Sequence, residues 1–245
     1  MSIIAVSDLH IWGPEDPLYL SLLSLLNERV LAGDTLVLAG DLFDLFVGNK
    51  SVFIQQYATF IEAVEKAGAR GAIIHYIEGN HDFLIKKTFQ GAQGVYVHTD
   101  SVKIETEGKK FYFAHGDLVD PKDYGYRLLR LFFRSPLMKA LVFIVPGKWL
   151  EKFGKLSSRK SRKHHPKLPH DRIEPLRKIF RNYAADQVAR GYDFVVMGHC
   201  HDLDEMSFIV GSRKGQYVNI GFPRVHGSFL SWAPGEEKIQ REKLP

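Results

Sequence analysis

Apolar and polar positions alternate in blocks along the first third of the chain. IIAVSD, DTLVLAGD and AIIHYIEGN each open on a short run rich in branched side chains and close on polar residues. That length and composition predict strands. Between them, PLYLSLLSLLNERVLAG and SVFIQQYATFIEAVEKAG place apolar residues at helical spacing and stop at a glycine suited to a helix C-terminus. Strand, helix, strand, helix, strand predicts parallel crossover units. GVYVHTD, VKIETEG and KKFYFAHG follow as closely spaced strands, then helical patterns over 123–151 and 171–190, the strand-like FVVMGHCH, and a tail of short strands with glycine turns. The predicted fold class is α/β, a layered αββα sandwich.

At 245 residues the chain is expected to form one domain, 1–245, with a helical, basic and apolar insertion at about 122–172. A hydrophobic content of 45% with 25% charged residues excludes disordered and collagen-like classes. The single cysteine cannot form an internal disulfide, and the first residues show no leader pattern, so a reducing, cytoplasmic setting is expected. LLRLFFRSPLMKALVFIV is interrupted by Arg130, Arg134, Pro136 and Lys139, too often for a spanning helix, although it can touch a membrane surface. Charge is divided: residues 1–124 carry 10 Lys/Arg against 17 Asp/Glu, net −7, and residues 125–245 carry 23 against 11, net +12. An acidic half suits hard cations; a basic half suits an anionic ligand, a nucleic acid or an anionic membrane.

The candidate chemistry sits where apolar runs end. Asp8 and His10 follow the first strand, Asp41 the second, Asn80, His81 and Asp82 the third, His115 a later one, and His199 and His201 the run FVV. In a parallel sheet such ends line one crevice. Asp8, His10, Asp41, Asn80, His115, His199 and His201 are oxygen and nitrogen donors, suited to Mn, Fe, Zn or Mg. Seven are too many for one tetrahedral ion and suffice for two ions bridged by one carboxylate, most simply Asp41. In extended backbone His199 and His201 would face one way and Cys200 the other, leaving Cys200 as a small buried apolar residue.

The ordered series D-x-H, G-D-x-x-D, G-N-H-D, H-G-D, G-H-x-H resembles the calcineurin-like metallophosphoesterase superfamily, over Asp8 to His201. The resemblance implies that Asp8, His10, Asp41 and His201 hold one ion and Asp41, Asn80, His115 and His199 the other. His81 would protonate the leaving group or steady the phosphoryl oxygens, and Asp82 would orient His81.

Within the superfamily, AGDLFDLFVGN, EGNHDFLIKKTF, HGDLVDPKDYGYRLLRLFFRSP and the basic insertion look like the family of UDP-2,3-diacylglucosamine hydrolases, pyrophosphatases of lipid A biosynthesis. That resemblance implies metal-activated attack of water on the phosphorus next to uridine, releasing UMP and 2,3-diacylglucosamine 1-phosphate. Asp123, Tyr126, Arg159 and Lys163 would lie over the head group. The chain departs from that family at His81, where the family has Arg; the wider superfamily carries His there, so another phosphodiester stays open. Residues 148–172 carry nine Lys/Arg and two Asp/Glu beside the apolar stretch, as a lipid pyrophosphate at an anionic inner-membrane surface requires. The expected cofactors are two divalent ions, manganese first. A nuclease would pair its basic surface with aromatics for base stacking, which disfavours nucleic acid as the partner. A non-catalytic scaffold is disfavoured because all seven ligand positions are intact.

Overall fold

The computed structural model describes residues 1–135, 145 and 170–245. Its first half is β1 (Ile3–Val6), α1 (Pro17–Ser24), β2 (Thr35–Leu38), β3 (Phe46–Val47), α2 (Ser51–Gln56), α3 (Ala58–Ala69), β4 (Ile73–Ile77), β5 (Asp82–Phe83) and β6 (Val95–His98). Then come β7 (Ser101–Thr106), β8 (Lys109–Ala114), α4 (Tyr124–Arg134), α5 (His170–Ala189), β9 (Phe194–Met197), β10 (Glu205–Val210), β11 (Arg213–Asn219), α6 (Pro223–His226), β12 (Ser228–Trp232) and β13 (Gln240–Lys243).

Two sheets stack. The first has strand order β13-β12-β1-β2-β4-β6, and the second β10-β11-β9-β8-β7. β1, β2, β4 and β6 run parallel, as do β8, β9 and β11. Side chains of successive strand residues point to opposite faces. Ile3, Ala5, Val37 and Ile77 therefore enter the layer between the sheets with Phe111, Phe113, Val196 and Trp232. Ile4, Val6, Leu36 and Leu38 instead pack under the α1 to α3 side with Leu22, Phe60 and Val64. On the opposite side Val195 and Met197 meet Phe180, Ala184 and Val188 of α5. This is the αββα sandwich expected, and burial on both faces is why the central parallel strands are mostly apolar, with His75 of β4 only half-buried.

Two helices depart from expectation. The first ends at Ser24 and widens into a π turn over Leu25–Arg29. The second is split at Tyr57, whose backbone (φ −111°, ψ 26°) leaves the helix while its ring packs 4.1 Å from that of Phe43. Of the pattern over 123–151, α4 covers the first turns; 136–144 and 146–151, like most of the expected insertion, lie outside the described residues. Among the described residues, no helix is long and apolar enough to cross a membrane.

Candidate metal centre

Adjacent parallel strands bring the predicted residues to one edge. β1, β2 and β4 deliver Asp8, Asp41 and Asn80; β8 and β9 deliver His115, His199 and His201. Non-glycine residues with positive φ among those described are Asp8, His10, Asp41, Leu84, Glu107, His199 and His201, and five of the seven are predicted ligands. Left-handed backbone costs about 1–3 kcal/mol at such residues and persists where surrounding structure enforces it, typically at functional sites. It also corrects one expectation. His199 (φ 69°) and His201 (φ 55°) are not in extended backbone and do not share a face by strand alternation.

They diverge instead into two neighbouring groups. His201 Nε2 lies 3.1 Å from His10 Nε2 and 3.3 Å from Asp8 Oδ1. His199 Nδ1 lies 3.2 Å from His115 Nε2 and 3.4 Å from Asn80 Nδ2. Between the groups stands Asp41, whose Oδ2 is 3.3 Å from His115 Nε2 and 4.0 Å from His10 Nε2. Its Oδ1 accepts from Asn80 N at 2.7 Å and His81 N at 3.0 Å. One oxygen is tied to backbone and the other faces both groups.

Burial and charge tune these side chains together. Burial alone would raise the Asp41 carboxyl, but His115 and His81 beside it hold it well below the usual range. Burial opposes a charge on His115, yet Asp41 raises its pKa well above normal. His199 is lowered by burial and by His115, and His10 is lowered to about 3 chiefly by burial. His115 Nδ1 lies 3.0 Å from Ala39 O and donates its proton there, leaving Nε2 as the ligand nitrogen. Asp8 accepts from Ser7 Oγ at 2.5 Å and from His199 N at 3.0 Å. Gly198 leaves that carboxylate its room, since a Cβ there would collide with Asp8 Oδ2. Three groups whose ligand atoms fall within 4.8 Å of one another result: Asp8, His10 and His201; His10, Asp41 and His81; Asp41, His115 and His199. Two buried carboxylates facing imidazole nitrogens form a donor set that fits two divalent cations.

His81 lies against the first group, its ring centroid 5.0 Å from that of His10. Its Nδ1 bonds Asp44 O at 2.8 Å. Asp41 and that carbonyl raise its pKa, although burial, the largest effect, opposes them. The expected pairing of Asp82 with the His81 ring is corrected. Asp82 is fully buried and accepts from Asp41 N, Leu42 N, Gly79 N and Tyr76 Oη. It therefore holds the loops that carry Asp41 and Asn80, and burial with Asp41 nearby pushes its pKa up to about 7.

Of the residues expected over the head group, Asp123 caps α4, accepting from Tyr126 N at 2.9 Å, and Tyr126 reaches Asn80. Arg159 and Lys163 lie outside the described residues. Cys200 is buried with Sγ 3.0 Å from Asn219 Nδ2, away from the ligand set. Sequence reasoning missed Phe222, stacked on His201 at 4.4 Å, and Asp117, 2.5 Å from Tyr126 Oη. Asp117 stood in the motif H-G-D; Phe222 follows β11 with no signal of its own.

Comparison with known proteins gives the same picture. The family model for the calcineurin-like phosphoesterases matches residues 1–203. The UDP-2,3-diacylglucosamine hydrolase of Nitrosococcus oceani is 26% identical over 90% of this chain and 87% of its own length. That of Aeromonas salmonicida is 25% identical over 100% of this chain and 95% of its own, and that of Pseudomonas aeruginosa 27% identical over 83% and 86%.

Proposed function

The chain belongs to the calcineurin-like phosphoesterase family of metal-dependent phosphoester hydrolases, and from that premise we propose that it hydrolyses the pyrophosphate of UDP-2,3-diacylglucosamine to UMP and 2,3-diacylglucosamine 1-phosphate. The observation that carries the substrate class is α4. One face of this helix presents Tyr124, Leu128, Leu131 and Phe132, exposed by 75, 70, 70 and 46%. Its other face is fastened to the core: Arg130 pairs with Asp100 and Asp117, Arg134 with Glu78, and Tyr126 reaches Asn80. The exposed side chains of Tyr124, Leu128 and Leu131, anchored beside a cation site, suit acyl chains attached to a phosphorylated head group. Each methylene moved out of water contributes about 0.8 kcal/mol. The curated relatives, similar over nearly their whole lengths, support the same assignment.

In this reading Asp8, His10, Asp41 and His201 hold one divalent ion and Asp41, Asn80, His115 and His199 the other, with manganese the first candidate because imidazole and carboxylate are mixed. When bound, such ions acidify water near neutral pH and neutralise phosphoryl oxygens. The protein's own contribution is positioning. Asp82 fixes the two ligand loops, and His81, its Nδ1 proton donated to Asp44 O, presents Nε2 to the departing group or a phosphoryl oxygen. Residues 122–172 are read as an insertion in one domain, whose apolar and basic parts attach the enzyme peripherally to the cytoplasmic face of an anionic inner membrane.

His81 favours a second reading. A sugar 1-phosphate leaves readily without an acid, whereas an alkoxide needs one, and imidazole can supply a proton near pH 7 where arginine cannot. Hydrolysis of another phosphodiester is that alternative. Incubation of manganese-loaded protein with UDP-2,3-diacylglucosamine, an aryl phosphodiester and single-stranded DNA separates the readings. UMP release outpacing the other two supports the pyrophosphatase; preference for the phosphodiester or DNA overturns it.

A further inference from the structure

Tyr126 has one hydroxyl proton and two oxygens within reach, Asn80 Oδ1 and Asp117 Oδ2, each at 2.5 Å. It can donate to only one. Asp117 comes from the loop after β8 and is buried, and Arg130 Nε lies 2.8 Å from the same carboxylate oxygen. A carboxylate outcompetes an amide carbonyl for a phenol proton, because hydrogen bonds to charged acceptors are roughly twice as strong. With the proton on Asp117, Tyr126 offers Asn80 only lone pairs. The end of the Asn80 side chain that faces Tyr126 must then be the NH2 group, since the two ends of an amide differ only in what they can bond. Its carbonyl oxygen is thereby turned toward His199 Nδ1, 3.4 Å from the far end of the amide.

We propose that Asp117 is a positioning residue that, through Tyr126, sets the Asn80 amide so that its carbonyl oxygen faces the cation position formed with Asp41, His115 and His199. The inference rests on the two-ion reading above. Were Asp117 absent, Tyr126 would donate to the Asn80 carbonyl and turn two N–H groups toward a cation. Asp117 touches neither substrate nor metal in this scheme, and it makes α4 part of the support of the metal centre.

The test is calorimetric titration of metal-free protein with manganese. Wild type is expected to take up two ions. Asp117→Ala should weaken one of the two by roughly 10- to 100-fold, the usual cost of losing a partner behind a ligand, and leave the other within about twofold. The sign of the double variant is decisive. Asp117→Ala with Tyr126→Phe removes the misdirecting donor and should bind that ion more tightly than Asp117→Ala alone. Asn80→Asp, with oxygen at both ends, should make the site indifferent to Asp117→Ala. A purely structural role for Asp117 predicts the reverse, further loss in the double variant, and that result overturns the proposal. Should Asp117→Ala not fold, neutron diffraction from wild-type crystals decides: Asn80 deuterons directed at Tyr126 support the proposal, and deuterons directed at His199 overturn it. A wild-type chain that binds no second ion overturns the two-ion reading and this inference with it. Two ions in wild type and unchanged affinity in every variant overturn this inference alone.

Discussion

Leu128 and Leu131 are each 70% exposed on α4, so replacing both by serine separates substrate binding from folding. Full burial of a leucine side chain is worth about 1.5–3 kcal/mol, and most of that remains to be gained when an acyl chain covers residues so exposed. Contact with lipid thus offers roughly 1–2 kcal/mol per leucine. After ordering costs, about 2 kcal/mol survives for the pair, which is about 30-fold in KM. The folded protein has less to lose, under about 1 kcal/mol per site, because little of either side chain is buried. Steady-state kinetics of Leu128→Ser/Leu131→Ser with detergent-dispersed UDP-2,3-diacylglucosamine should show KM raised by about 30-fold at nearly constant kcat. Turnover of a small aryl phosphodiester, which needs only the metal side, should stay within about twofold. Equal effects on both substrates, or on neither, would refute the assignment of this face to acyl chains.

His81→Ala is expected to keep its full metal content and, where His81 transfers a proton to the departing group, to lose about 10²- to 10⁴-fold in kcat; elemental analysis showing metal loss would make His81 a ligand instead. His75 and His98 share one proton across 3.0 Å, His75 lowered to about 4 by burial and by His98, and His98 lowered by burial. Below about pH 6.5 the unfolded chain protonates these histidines and the folded one does not, so stability should fall from pH 6.5 toward pH 4. In urea unfolding of metal-free protein at pH 7 and pH 5, His75→Phe should lose less stability between the two pH values than wild type. An identical loss would show that the pair does not contribute.

The strands and the ligand residues were legible because one physical fact governs both. Parallel strands buried on two faces are mostly apolar, His75 in the half-buried middle of β4 being an exception, so polar residues gather where the strands stop, and Asp8, Asp41, Asn80 and His115 stand there. What was illegible depends on contacts between segments distant in the chain. The left-handed backbone of His199 is held by the Asp8 carboxylate, 3.0 Å from His199 N, with Gly198 packed over it. Asp82 sits beside His81 in sequence, yet its oxygens are claimed by Asp41, Leu42, Gly79 and Tyr76. Adjacency suggested a partner that tertiary structure assigned elsewhere. The helix over 51–68 was split by the burial of Tyr57 against Phe43, a packing demand that helical periodicity does not reveal.

The proposed two-ion centre depends most on Asp41, since its Oδ2 faces imidazoles of both histidine groups while the imidazole within reach of Asp8 is that of His201. Metal content and hydrolysis measured on the same samples of wild type, Asp8→Ala and Asp41→Ala test this directly. Wild type should carry two ions per chain, lose activity on chelation and regain it best with manganese rather than calcium. Asp8→Ala should retain about one ion, and Asp41→Ala should retain less metal and less activity than Asp8→Ala. Comparable metal content and rate in the two variants would contradict the shared carboxylate. A wild-type chain that turns over substrate in excess chelator with no bound metal would contradict the metal centre altogether.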